Sequence, residues 1–578
     1  MSIATLATTR ARTDEIRRCR KAMQRAATET RLYTNPAPGS GQVGLVYRGA
    51  LDAADLAEYE WPDKKNVSSA GHFTVRATHH LGKLIARIPN TPTECKNVVI
   101  RVDRYGGAWR WTGLMHHWEL FTKDGVDYIT AHFNDDKQIP QFTLGPPNPL
   151  LPITVFQGPR DWFQFGPADW CASTFLWLNV VRNECAEAVL ALATIPDDPF
   201  DLASYADGVI DHLNPAAWQV HVKCPSFLQS TSLWTFIGSR MNTSDSVIAD
   251  ALDDGQLVLR HRRIFTAEGE TVTGLLNNNI ANGALVFWID DESGFGESGS
   301  FFSGGAIGGL ARSLVTWGAG GLEDTLSLID DNQSLYGDEY WQAGFMGTLA
   351  AAPTIGLDDS WYHDLQSRVT HSPATASTVI VGGDNPTADA VVKLTIEAIG
   401  NLLGYFLLGG FDSLGTIVAD VVMPFIVGTI LAWDQWTNEG RKSLLGWVHL
   451  WEIYQQGAEQ NNWSLSAIVA MRGGFKATED KTSHTMVVDE GSWFIPGLHA
   501  DVGDRIWSTS GALARMGIDL RFVNQIEEIS PKADDTGFCQ TAIKCGQNKA
   551  AMSQGERNAL LLKKVMSKMQ DIGVRLVS

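Results

Sequence analysis

Cysteine is scarce in this chain and follows no pattern. The 578 residues hold seven cysteines, at positions 19, 95, 171, 185, 224, 539 and 545, an odd number without repeated spacing. That excludes a disulfide scaffold and predicts reduced thiols in a protein made in a reducing cytoplasm. Cys539 and Cys545 suggest a metal pair or a disulfide, yet no second pair completes a zinc site. Long apolar runs are lacking too. The most apolar segment, residues 390–433, is interrupted by Lys393, Glu397, Asp412 and Asp420, leaving uncharged stretches of 14, 13 and 7 residues at most. A spanning helix needs about 20. Short packed helices, or a surface buried against another chain, are expected there, with exposure to a membrane after a conformational change as the alternative. The charged N-terminal run leads into no apolar core of the signal-peptide kind.

Catalytic signatures are absent as well. The sequence contains no His-Glu-x-x-His helix, Gly-x-Ser-x-Gly elbow, Walker loop or calcium loop. Gly294, Gly296 and Gly299 have dinucleotide-motif spacing, but Asp290, Asp291 and Glu292 precede them and would repel a pyrophosphate, so a loop is expected. His79-His80 and His116-His117 are the only adjacent histidine pairs. On a strand, neighbours point to opposite faces, so neither pair chelates one metal by itself. His117 and Glu119 share a face, where a partly buried interface histidine is the expectation. No catalytic, cofactor-binding or metal-ligating residue is nominated, and a non-enzymatic protein is expected.

What the sequence does hold is aromatic surface and an uneven charge. Its 20 tryptophans are many for a chain that is only 19% charged, and aromatics are enriched at protein interfaces. Residues 1–31 carry eight cations against three anions, and residues 541–578 seven against two, so a chain of net charge −19 has a middle of −29. Such a body repels nucleic acid; the basic ends read as docking arms, and no sequence-specific nucleic-acid binding is expected.

The clearest local pattern is a β-meander over residues 97–152. Val98, Ile100 and Val102 alternate with Val99, Arg101 and Asp103, the period of a half-buried strand. Gly106-Gly107 and Lys123-Asp124-Gly125 supply turns between it and two further strands, residues 108–122 and 126–133. Gly113 marks a bulge or a close backbone approach. Strand-like runs at 43–51 and 71–89 complete that region. Residues 170–194 read as a buried helix and 243–252 as a helix capped by Thr243. Residues 256–265 read as a strand pairing across Glu268-Gly269 with 271–275, and 284–289 as another core strand. Residues 447–470 read as helical. Short strands are expected at 486–488, 491–495, 505–507 and 518–529.

The expected organisation is a basic N-terminal helix or arm (1–36), a first β-barrel-like domain (37–165) and a mixed α/β domain (166–385). An apolar helical segment (386–475), a second small β-domain (476–535) and a basic helical tail (536–578) follow. The fold class is α+β, a β-rich multidomain chain, and the length supports several cores.

Four segments carry a resemblance: RVDRYGGAWRWTG (101–113), STVIVGGDNP (377–386), AWDQW (432–436) and GLHADVGDRIW (497–507). In this order they resemble the minor tail proteins of actinobacterial siphophages, of the family similar to baseplate hubs. Asp384-Asn385 departs from the cationic residue of some relatives. The resemblance implies a virion protein at the tail tip, a homotrimeric ring in which each subunit contributes two related β-barrels beneath a sixfold tube. The implied partners are the distal tail protein, the tape-measure protein and other minor tail proteins, with contact to the host envelope an additional prospect. A tail-associated cell-wall hydrolase or a host-receptor-binding protein is the alternative, and no active-site motif supports the hydrolase.

Overall fold

The computed structural model describes residues 28–37, 40, 42–90, 96–149, 162–185, 214–275, 277–294, 306, 309, 328–330, 355–357, 366–382, 433–455, 474, 475, 478, 481–489, 494–518, 520–533 and 539–546. The basic N-terminal helix or arm expected over residues 1–36 lies outside them up to residue 27, and residues 29–34 are strand. The apolar segment lies outside up to residue 432, as does the tail from residue 547.

The N-terminal region is antiparallel sheet: β1 (Glu29–Thr34), β2 (Val46–Leu51), β3 (Leu56–Glu60), β4 (Asp63–Lys64), β5 (Ala70–Arg76), β6 (Val98–Arg104), β7 (Trp109–Lys123) and β8 (Val126–Asp135). The meander is β6-β7-β8, in that order. Gly106 and Gly107 take φ of 69° and 84°, as their turn requires, and Asp124 and Gly125 take 52° and 76° in the β7–β8 hairpin. β7 runs unbroken through Gly113, where a Cβ would stand 2.5 Å from the Asn134 carbonyl oxygen. The glycine therefore permits a close approach, and the bulge lies further on, between Met115 and His117.

Val98, Ile100 and Val102 alternate onto the core, beside Leu32, Phe73, Trp111 and Phe133. Each such side chain contributes about 1.5–3 kcal/mol on burial. Yet β6 is buried along its whole length. The strand expected to be half-buried has a second cover, supplied by residues 263–270. A further correction falls on residues 71–89, where β5 ends at Arg76 and a helix, α1 (His80–Arg87), follows. His79 caps it by accepting the Leu81 backbone N–H, and Leu81 and Ile85, four apart, enter the core.

The middle region contains β9 (Leu144–Gly145), β10 (Trp162–Pro167), α2 (Ala168–Glu184), β11 (Val220–Val222), β12 (Trp234–Ser239), β13 (Asn242–Thr243), α3 (Ser244–Asp254), β14 (Leu257–Ile264) and β15 (Ala284–Asp291). Both helices pack Phe175, Leu176, Ile248 and Leu252 against Val222, Leu259 and Phe287 of the sheet β11-β15-β14. Thr243 is the N-cap residue of α3, but its hydroxyl bonds that of Ser246 rather than the backbone. β14 pairs with β15, not with 271–275, because a short 3-10 turn at residues 266–268 bends the intervening chain back toward β6.

The remaining strands are β16 (Leu328–Asp330), β17 (Ile355–Leu357), β18 (Gln366–Ser372), β19 (Ala376–Gly382), β20 (Trp433–Thr437), β21 (Leu450–Gln455), β22 (Lys481–Asp489), β23 (Arg505–Thr509), β24 (Leu520–Ala533) and β25 (Cys539–Gly546), with short helices α4 (Glu439–Leu445) and α5 (Gly511–Arg515). Residues 450–455, expected to be helical, form β21 beside β19, in keeping with the aromatic and β-branched side chains of Trp451, Ile453 and Tyr454. Phe494 and Ile495 are buried outside any strand, and residues 539–546, placed in the expected tail, form β25. Ile506, Ile526, Ile529 and Ile543 centre this third core.

One 15-stranded sheet joins the N-terminal and C-terminal described regions along the path β18-β22-β25-β24-β3-β5-β8-β7-β6-β1-β2, with β4, β16 and β23 attached at β24 and β17 at β23. β24 is the junction. Lys532 and Ala533 pair with Glu60 and Tyr59, while Glu528 and Ile529 pair with Lys64 and Asp63.

Candidate functional site

The cover over β6 is ionic. Arg110 donates from Nε to Asp103 at 2.6 Å and from both terminal nitrogens to Glu270, at 2.7 and 2.9 Å. Arg101 donates to Asp103 at 2.7 Å and to Glu268 at 2.9 Å, and Arg31 reaches Glu268 at 2.8 Å. The side chains of Arg101, Arg110 and Asp103 are only 5%, 3% and 9% exposed. Phe265, fully buried, lies under the Arg101 guanidinium at 4.4 Å and against Tyr33 and Val99. Beside it Arg263 grips Asp136 with two nitrogens, at 2.8 and 2.6 Å. Burial by itself raises the Asp103 carboxyl, but hydrogen bonds from Arg110 and Arg101 outweigh it and hold the group below its ordinary value. Glu268 and Glu270 are likewise held low, against burial, by Arg101 and by Arg110 respectively. Buried pairs of this kind add little net stability, but removing one partner strands a charge. They fix the middle region in one position on the meander.

A second seam has the opposite balance. Arg260 of β14 faces Asp290 and Glu292 beside it and Asp501 and Asp504 from the C-terminal region, at 3.5, 3.4, 3.2 and 3.2 Å. One cation serves four carboxylates. Burial, then the Asp504 charge, pushes Glu292 up to about 7. Asn66 closes the junction, donating to the Leu257 carbonyl at 2.8 Å and accepting from the Leu259 N–H at 2.7 Å.

Beyond these seams the hairpin of β7 and β8 extends outward. Its strand β7 is exposed on both faces from Leu120 to Lys123. The bulge makes His116 the extra residue, so alternation shifts by one and His117 and Glu119 continue the Arg110–Thr112–Leu114 face. His116 and His117, expected to point apart, instead bring their Nδ1 atoms to 2.7 Å. His117 stands opposite His132 of β8, the rings stacked at 4.3 Å, and His132 stands opposite His72 of β5. His117, Glu119 and His132 each offer a ligand atom within 4.8 Å of the others. The sequence reading paired His117 with Glu119 and missed His132. The signal was available: a two-residue loop at Asp124-Gly125 sets Lys123 opposite Val126, and counting back puts His117 opposite His132.

Other singled-out residues separate. His79 caps α1 while His80 begins it. Cys539 and Cys545 sit six residues apart on β25, roughly 20 Å along a strand, too far for a disulfide or a shared metal. The Cys545 thiol is free and buried. Gly294 has φ of 82°, whereas Gly296 and Gly299 lie outside the described residues. Two of the segments carrying the resemblance pair directly, β19 with β20. Near them an apolar edge is open, with Leu444, Trp447, Val448 and Trp451 exposed by 91%, 96%, 80% and 77%. Among the described residues no helix is long and apolar enough to cross a membrane.

A sheet drawn from both ends of the chain, ionic seams between its parts and open aromatic edges define a β-rich structural protein with surfaces suited to assembly. The chain belongs to the siphovirus ReqiPepy6 Gp37-like protein family, whose sequence model matches residues 44–547. It is 26% identical over 533 residues to minor tail protein Gp28 of Mycobacterium phage L5, covering 84% of this chain and 86% of that protein. The Gp28 minor tail protein of Mycobacterium phage D29 is 25% identical over 548 residues, covering 86% and 88%. Among solved structures, the tail protein from Neisseria meningitidis MC58 spans 91% of this chain and 98% of its own, at 9% identity and a TM-score of 0.37.

Proposed function

We propose that this chain is the hub of a siphophage tail tip, closing the distal end of the tail tube and anchoring the proteins around it. Its coarser role is that of a structural minor tail protein, a component of the virion tail that contacts other tail components. The observation that carries the hub reading is the junction at β24. Residues 46–135 and 481–546 are the proposed pair of barrel-like domains, and β24 places both in one hydrogen-bonded sheet. A subunit that presents two β-regions to a tube needs them fixed relative to each other. The sheet and the two ionic seams provide that fixity.

In this reading three copies form a ring, with the distal tail protein above, the tape-measure protein in the lumen and other minor tail proteins outside. The apolar edge around Trp447 and Trp451 and the outer half of β7 are the proposed contact surfaces, since clustered exposed aromatics mark interaction sites. The chain works without turnover. Light scattering and negative-stain imaging of the purified chain test this: threefold rings near three times 63.2 kDa support the hub. A monomer that binds host cells would replace it with receptor recognition, and a cleared band on cell-wall zymograms would replace it with a hydrolase.

A further inference from the structure

We propose that His117, Glu119 and His132 bind one divalent transition ion of the zinc class, clipping the outward hairpin across its bulge. Two imidazoles and a carboxylate are a donor set suited to zinc, with a water in the fourth position. The three residues come from two strands whose register sets them side by side: His117 faces His132 directly, and Glu119 is two residues along on the same face. His117 Nε2 is already 3.9 Å from Glu119 Oε1. Zinc bonds of about 2.0–2.1 Å in a tetrahedron bring ligand atoms to roughly 3.4 Å from one another. The present separations, none above 4.8 Å, need to close by at most about 1.4 Å, and the stacked rings of His117 and His132, within 9° of parallel, must turn so that their in-plane lone pairs converge. His117 and Glu119 are exposed and His132 is half-buried, and imidazole rotation about its last side-chain bond is soft.

The bulge supplies the outer support that such sites use. With the Nδ1 proton on His117 donated to His116, 2.7 Å away, Nε2 keeps its lone pair for the ion. A ligating histidine ordinarily gives its other N–H to a fixed acceptor in this way. His116 is thus a positioning residue, which a regular strand would have turned to the other face.

The test uses the full chain without an affinity tag, stripped with EDTA and titrated calorimetrically with ZnCl2. One ion per chain is expected. His117→Ala and His132→Ala should each weaken binding at least tenfold, His116→Ala less, and His449→Ala, remote on the chain, not at all. Zn2+ should also slow tryptic cleavage after Lys123 at the hairpin tip in the parent chain and not in His132→Ala. Should an alanine variant misfold by circular dichroism, His117→Asn gives the same reading with a smaller change. No saturable binding by the parent chain, or binding undiminished in the folded His117 and His132 variants, overturns the site.

Discussion

β7 is one strand in two environments, and the contrast between its halves separates what holds this protein together from what it offers to others. From Trp109 to Leu114 its side chains are buried or half-buried, Trp109 and Trp111 in the first core and Arg110 in the ionic cover. From His116 onward it is exposed except at half-buried Trp118, which still packs against that core. A one-residue bulge marks the change. The inner half needs each polar group matched, because an unmatched charge there has no water to turn to. The outer half has no such constraint, and its residues are free to serve a ligand or a partner.

The sharpest break of the contrast is Arg110→Met. Losing the guanidinium leaves Asp103 and Glu270 facing each other in a buried seam, and the expected loss is about 3–5 kcal/mol, read as a lower midpoint in denaturant. Replacing Arg110 and Glu270 together by apolar residues of similar volume should restore most of it, since that pair leaves as a set while Asp103 keeps Arg101. Gly113→Ala comes next. Its Cβ would meet the Asn134 carbonyl oxygen at 2.5 Å, so the two strands must part and about 1–3 kcal/mol is lost.

How much of this was legible in the sequence follows the same division. The alternation of Val98, Ile100 and Val102 and the turn glycines placed the meander, since period and turn chemistry are local. That Arg101 and Asp103 would be buried was not legible, because their cover arrives from residues 263–270, more than 150 positions on. The expected partner of β14 failed for a related reason: Glu268 and Glu270 resemble an ordinary hairpin turn until the arginines they hold are known. The strand β25 was hidden by its basic surroundings, and its place beside β22 and β24 is set by pairing across the whole chain. His132 was within reach of the hairpin count but needed the register to be applied.

The two seams extend the comparison to pH, with opposite signs. Asp103, Glu268 and Glu270 are depressed, so their contribution is present above the ordinary carboxylate range near pH 4 and is lost as pH falls through their lowered values. Glu292 is raised to about 7 from an ordinary 4.5. Its contribution is complete below about pH 4.5 and is lost as pH rises through 7. Thermal midpoints followed by tryptophan fluorescence should therefore rise as pH drops from 8 to 5.5 and collapse below 4. Glu292→Gln should reduce the rise, to which Glu184, raised to about 7, and Asp501 and Asp135, raised to about 6, also contribute, and leave the acid collapse in place; a rise undiminished in that variant removes Glu292 from it.

The smallest effect on stability is expected at the outer half, and there the sign of the contrast matters most. Leu120 and Phe121 are 58% and 40% exposed, and Phe121 stacks on Tyr128 across the hairpin at 5.8 Å. Leu120→Ser with Phe121→Ser should shift the folding free energy of the purified chain by no more than about 0.5–1 kcal/mol, as surface changes do. Exposed apolar side chains kept at the end of a projecting strand nevertheless carry a cost in solubility, and a partner that covers them removes it. The double variant should therefore purify as well as the parent while entering assembled tails less efficiently, measured by complementing a phage lacking the gene and counting the protein in purified particles. Equal incorporation would confine the partner contacts to other surfaces, with the edge at Trp447 and Trp451 the next to be changed.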